Sequence, residues 1–415
     1  MSQFYESVKE RMIRYAKVDT ESCFESPTSP STEKQKDLGK MLAEELVAIG
    51  VENVYMSDEC CVYGTIPATV DYPCVSLGFV AHMDTTPDIT GANVKPWVLE
   101  NYQGGDIVIN KELGIVMEEA TYPLLKNCIG KDLIMTDGTT LLGGDDKSAI
   151  VDIMTMAEYL VKHPEIPHGP IQIGFTPDEE IGRLAENFDL ERFGADVAYT
   201  VDGEGVGGFS YQTFNAAEAQ VTVHGLNVHP GQAKDIMVNA LEIGCEFVNM
   251  LPAQGRCQHT SGSEGYFHPF VFEGTVEKAY IRTLIRDHSM EKYEERKAYV
   301  EKCVAELNRR YGEGTVELKY DAIYYSMEEV VKKEAPYMTE VALSAIRACG
   351  VEPEVIAARG GTDGSALSQR GLPSPNITAG YYYGHSRFEF SPIQDMEKTV
   401  EILIEVAKRY ADLKK

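Results

Sequence analysis

The chain has 415 residues, a length that favours two domains over one core, and its 43% hydrophobic and 25% charged residues are those of an ordinary globular protein. A net charge of −27 argues against nucleic-acid backbones and anionic membrane surfaces as partners. No apolar run approaches the ~18 residues of a membrane span.

Residues 1–18 have the pattern of an amphipathic helix and lack the apolar core of a signal peptide. The nine cysteines are scattered without a CxxC pair, which suits reduced thiols in a cytoplasm, the expected compartment. Thr32 and Gln35 stand at capping-box spacing, and Leu38, Met41, Leu42, Leu46 and Ile49 then recur on one face before Gly50. Residues 51–66 read as strand with a turn at Asp58 and Glu59. Residues 74–81, CVSLGFVA, form a continuous apolar run after Pro73, the pattern of a strand buried on both faces, and His82-Met83-Asp84 follows. In LLGGDDKS, residues 141–148, two glycines deliver adjacent acids just ahead of an amphipathic run at 149–161. Residues 171–176 and 198–201 are short strands that each end in acids. Such helix–strand alternation implies an α/β sheet with its ligand site at the carboxyl ends of the strands.

The composition changes after Phe209. The order strand (218–224), helix (239–250), strand (270–278), strand (279–286) and helix (291–311) predicts an α+β unit with its own apolar face. α/β character resumes with a helix near 335–349, the glycine-rich residues 359–365 and a terminal helix at 393–413. The expected domains are therefore 1–214 and 321–415, forming one body, with 215–320 inserted between them.

Several strand ends carry chemistry. His82 and Asp84 share one side of an extended segment, where a carboxylate can fix an imidazole's tautomer. Asp178, Glu179 and Glu180 crowd three acids together, a density that a cation would compensate. Asp202 adds another acid, and His385 lies in YYYGHSRFEF. Each motif has an ordinary alternative, such as a capping turn or a solvated loop. Together, two imidazoles and several carboxylates form a mixed N/O set for two Zn²⁺-like ions, with Glu179 beyond that set as a base.

AHMDTTPD (81–88), LLGGDDK (141–147), FTPDEEIG (175–182), TVDGE (200–204), VHPGQAKDIMVNA (228–240), IRD (285–287) and RGGTDGS (359–365) occur in this order. They resemble the peptidase T family of tripeptide aminopeptidases, within the two-zinc metallopeptidase superfamily that also holds carboxypeptidase G2-like enzymes and bacterial deacylases. The resemblance implies a catalytic domain with a mixed central sheet flanked by helices, plus an inserted α+β lid and dimerisation domain. It implies that His82 and Asp202 hold one zinc and Glu180 and His385 the other. Asp145 would bridge them, chosen over Asp146 because the family's bridging acid lies two residues before the lysine, here Lys147. Glu179 matches the general base towards metal-bound water, and Asp84 the acid that orients the imidazole. His229 matches a histidine that reaches the partner subunit's site to stabilise the oxyanion. Arg286 matches an arginine for the substrate carboxylate, and Asn239 and Arg359 match further cleft residues. A cis peptide bond is expected between Asp145 and Asp146.

Departures are few. Gly144 stands where the family often has Ala, a change expected to spare the loop. Residues 202–205 read Asp-Gly-Glu-Gly instead of Asp-Gly-Gly-Glu, and His288 replaces a frequent Phe. The expected protein is a cytoplasmic, homodimeric aminopeptidase acting on tripeptides with two Zn²⁺ per subunit, Co²⁺ or Mn²⁺ substituting. Val221, Val223, Val238, Ala240 and Ile243 give the inserted domain apolar material, part of it available to continue a sheet or pack helices across a two-fold axis, and the dimer is expected through about 215–320. The alternatives on the same site are a dipeptidase, a carboxypeptidase or an N-acyl amino acid deacylase. A catalytically silent binding protein would be expected to have lost Glu179 or a ligand, and all are present.

Overall fold

Three neighbouring strands, Leu77–His82, Ile171–Thr176 and Val197–Val201, are buried along their whole length, as their unbroken apolar runs require. They form the parallel centre of an eight-stranded sheet in this computed structural model, which describes residues 3–413. Leu77–His82 lies between the other two, and Asn376–Ile377 continues the parallel set beside Val197–Val201. Antiparallel strands, including Val62–Ile66 on one side and Gly208–Gln212 on the other, make the sheet mixed. Helices Tyr5–Ala16, Gln35–Ile49, Gly144–Lys162 and Ile393–Tyr410 contribute Val8, Leu42, Ile153 and Leu403 to the same core. No helix among the described residues is long and apolar enough to cross a membrane.

The chain divides into two compact units. One comprises residues 1–211, 327–356 and 362–415; the other comprises 212–326 and 357–361. The second unit is a four-stranded antiparallel sheet in the order Tyr266–Gly274, Lys278–Asp287, Asn215–His224, Val316–Tyr324. Lys278–Asp287 alternates buried and half-buried positions, because one face packs on helices Ala240–Met250 and Met290–Tyr311.

Several expectations change at this level. Gln35 does not complete a capping box: its amide donates to Asp178, 2.7 Å away, and the helix that it opens has no side-chain cap. The hairpin of the second unit turns between Gly274 and Lys278, earlier than the strand boundary expected at 278–279, and Thr275 N–H closes it on Lys278 O at 2.7 Å. Val316–Tyr324 escaped the sequence reading because its apolar residues alternate with charged ones at a sheet edge. The helix expected near 335–349 is Tyr337–Ala348, and Pro336 separates it from a short preceding helix, Glu328–Glu334, that was not expected. Val221, Val223, Ala240 and Ile243, the apolar material expected of the inserted domain, fill the second unit's own core rather than a surface open to a two-fold partner.

Candidate active site

In-register pairing of Ala81 with Phe175 and His82 with Thr176, and of Val80 with Thr200, brings three strand ends to one edge. Out of that edge come His82 and Asp84, then Asp178 to Glu180, then Asp202. A short 3-10 turn, Glu179–Ile181, follows Asp178, whose backbone is left-handed at φ 64°. The fully buried Asp84 carboxylate accepts the N–H of Glu179 at 2.9 Å and of Glu180 at 3.2 Å. His82 Nδ1 lies 3.0 Å from Asp84 O and 3.5 Å from Asp84 Oδ1. Asp84 thus meets the imidazole mainly through its carbonyl, while its carboxylate caps the turn that bears Glu179 and Glu180.

The Gly-Gly-Asp-Asp segment enters helix Gly144–Lys162 through a kink: Asp145 and Asp146 have non-helical backbones, and the bond between them is cis. Gly143 has φ 79°, and a Cβ on Gly144 would come within 2.7 Å of Ser391 Oγ. An alanine at 144 would therefore require Ser391 to move. Asp145 Oδ1 is 3.1 Å from His82 Nε2, and its Oδ2 is 3.6 Å from His385 Nε2. His385 Nε2 is also 2.7 Å from Glu180 Oε2. Its side chain is 42% exposed, at the mouth of an otherwise buried cluster. Tyr381 donates its hydroxyl to Asp202 at 3.3 Å.

Two groupings have ligand atoms within 4.8 Å of one another: His82 with Asp145 and Glu180, and His82 with Asp146 and Asp202. The residues fit a cation. Glu180 Oε1 and Asp146 Oδ1 are buried with no hydrogen-bond partner among the described residues. Burial, reinforced by repulsion from Asp145, pushes the Glu180 carboxyl up to about 7 and that of Asp202 up to about 6. Glu179 is raised well above the carboxylate range by burial, with Asp202, Asp363 and Glu180 adding to it. Burial opposes charge on His82, but its bonds to Asp145 and Asp84 outweigh that and raise it well above an ordinary imidazole. The Glu180 hydrogen bond lifts His385 to about 9. A positive ion relieves such a concentration of acids.

The structure brings His82, Asp84, Asp145, Glu179, Glu180, Asp202 and His385 together within the first unit. His229, Asn239, Arg286 and Arg359 belong to the second. His229 is exposed and its Nδ1 accepts Gly231 N–H at 3.2 Å. Asn239 caps helix Ala240–Met250 by accepting Leu241 N–H at 3.1 Å. Arg286 donates to Arg359 O at 3.2 Å, and its Nε has no partner among the described residues. Arg359 donates to Gly262 O, Glu264 O and Thr260 Oγ1 at 2.7, 3.0 and 3.0 Å. Sequence reasoning set Asp146 aside in favour of Asp145 and missed Asp363, Tyr381 and Glu389. Asp146 was visible as the second acid of the pair, and Asp363 as the acid of RGGTDGS. Glu389 gave no signal beyond its place four residues after His385.

Residues 211–315 match the peptidase dimerisation domain. The chain is 47% identical to peptidase T of Caldanaerobacter subterraneus over 97% of its own length and 98% of that relative. It is also 47% identical to peptidase T of Clostridium novyi, over 98% and 100% respectively. The solved aminopeptidase PepT from Bacillus cereus shares the fold with a TM-score of 0.78 at 24% identity, covering 98% of this chain and 99% of that one. A tripeptidase from Staphylococcus aureus does so with a TM-score of 0.76 at 21% identity, with the same coverage. Fold and relatives together define a peptidase built as an α/β catalytic unit with an inserted dimerisation domain. The chain belongs to the peptidase T family.

Proposed function

We propose that the protein is a cytoplasmic aminopeptidase that removes the N-terminal residue from tripeptides, with two zinc ions per subunit. The observation that carries this reading is the position of Asp145, whose two oxygens face the imidazoles of His82 and His385 at 3.1 and 3.6 Å. On this reading Asp145 bridges, His82 and Asp202 hold one ion, and Glu180 and His385 hold the other. Asp146 is less suited to bridging, because its Oδ2 already accepts His82 N–H at 3.3 Å. When bound, the ions supply Lewis-acid polarisation of the scissile carbonyl and lower the pKa of water.

Glu179 takes a proton from the attacking water and delivers it to the departing amine. Burial supports this assignment by favouring the protonated carboxyl after the first transfer. His229 accepts a hydrogen bond at Nδ1, which leaves Nε2–H as its donor, the form needed at an oxyanion on the partner's site. Arg286 binds the peptide's carboxylate. Homodimerisation through the second unit draws support from the family match there and from exposed Leu226, Ile236 and Leu241, which have no place in the unit's own core.

The test strips the protein with a chelator and restores zinc, cobalt or manganese in turn. Activity on free tripeptides should return, while dipeptides and N-acetylated tripeptides should remain poor substrates. Glu179→Gln should keep two metals and lose turnover by ~10²–10⁴. Substantial activity in that variant, or equal cleavage of blocked peptides, would overturn the reading.

A further inference from the structure

Glu389 is only 2% exposed, yet among the described residues no partner of opposite charge is bonded to its carboxylate. Its two oxygens are committed to the backbone of one loop. Oε2 accepts the N–H of Leu142 at 3.0 Å and of Gly143 at 2.7 Å, and Oε1 accepts that of Asp145 at 2.8 Å. A side chain engaged on both oxygens is poorly placed to act as a metal ligand.

The segment that carries Glu389 also carries His385. Tyr382 and Phe390 pair antiparallel, exchanging N–H···O bonds of 2.9 and 3.1 Å, and Glu389 N–H closes on Ser386 O at 3.1 Å. His385 sits within this closed loop with φ 59°. Just beyond it, Ser391 Oγ lies 2.9 Å from Ser148 Oγ, a second tie between the same two segments. A Cβ on Gly144 would come within 3.3 Å of Glu389 Oε1, so the glycine admits the close approach.

We infer that Glu389 is a positioning residue: it holds the Asp145 backbone at a fixed place relative to His385, and so sets the affinity of the site for metal. This inference rests on the two-metal reading above. Only a carboxylate accepts on both oxygens, since glutamine turns one of them into a donor. Glu389→Gln therefore presents an N–H₂ group to at least one buried N–H of the loop and displaces Asp145.

The experiment uses chelator-treated wild type, Glu389→Gln and Glu389→Asp, titrated with zinc against a chromophoric chelator. Wild type should take up two zinc ions, Glu389→Gln should bind ~10–100-fold more weakly, and Glu389→Asp should fall between them. Amide hydrogen exchange of residues 141–147 in the metal-free proteins should be faster in Glu389→Gln, with exchange in the second unit unchanged. A folded Glu389→Gln with wild-type zinc affinity overturns the inference. If Glu389→Gln does not fold, Glu389→Asp carries the test, and wild-type affinity there overturns it equally. Failure of wild type to bind zinc would refute the two-metal reading instead. The positioning role would then stand or fall on whether the exchange of residues 141–147 changes.

Discussion

The carboxylate of Asp84 is fully buried and accepts two backbone donors, Glu179 N–H at 2.9 Å and Glu180 N–H at 3.2 Å. Replacing it by alanine leaves both donors without an acceptor, at ~1–3 kcal/mol each, or ~2–6 kcal/mol together. Asparagine keeps one acceptor oxygen and turns its amide towards the other donor, so about half of that loss is expected. Glu179 and Glu180 are half-buried, so water recovers part of the loss and the lower half of each range is the expectation. The assay is urea unfolding of the chelator-treated protein, which keeps metal binding out of the comparison. Trp97, the single tryptophan, lies in the same unit as Asp84 and reports that unit's transition by fluorescence. Midpoints should fall in the order wild type, Asp84→Asn, Asp84→Ala, with similar slopes. An alanine variant as stable as wild type, or milder than asparagine, would refute the capping role and return Asp84 to imidazole orientation alone.

His229→Ala should lower turnover by ~10²–10³ without loss of metal, and mixing it with Glu179→Gln should restore activity if the histidine serves the partner's site. Steady-state assays before and after subunit exchange decide this, and no recovery would place its action within one chain. Arg359→Ala should lower the stability of the second unit by ~1–3 kcal/mol, because Arg359 holds the carbonyls of Gly262 and Glu264. Calorimetry showing no change, together with a raised KM, would favour the substrate-binding role expected from sequence.

The residues that face one another across the site were legible because each follows a continuous apolar run, and such a run must be a buried strand with its polar end exposed to a cleft. His82, Glu179, Glu180 and Asp202 are found this way without any structure. His385 follows no such run; it entered the candidate set as a second imidazole in a Tyr- and Gly-rich stretch, and its pairing with Glu180 came from the family resemblance. The strands of the second unit were readable where they alternate over a core, and unreadable at Val316–Tyr324, where a sheet edge tolerates charges. Gln35 misled for a physical reason. Its spacing from Thr32 is that of a cap, but its side-chain amide N–H instead donates to the buried carboxylate of Asp178, far away in sequence within the same unit.

What sequence could not separate is the use to which each acid is put. Asp145, Glu180 and Asp202 turn their oxygens towards imidazoles or towards one another. Asp84, Asp178 and Glu389 turn theirs towards N–H groups: of residues 179 and 180, of Ser31, and of residues 142, 143 and 145. The two sets are the same residue types within the same motifs. The second set exists because strand ends and loops buried beside a charged site leave backbone donors that water does not reach. An acid satisfies two or three of those donors at once, and hydrogen bonds to a carboxylate are stronger than those to a neutral acceptor. Each clamp ties a turn that bears a proposed ligand or base to a different loop, so the ligand carboxylates are held near one another against their own repulsion. Rigid placement of this kind lets a peptidase hold its ligands ready for metal, without folding the site anew around each ion.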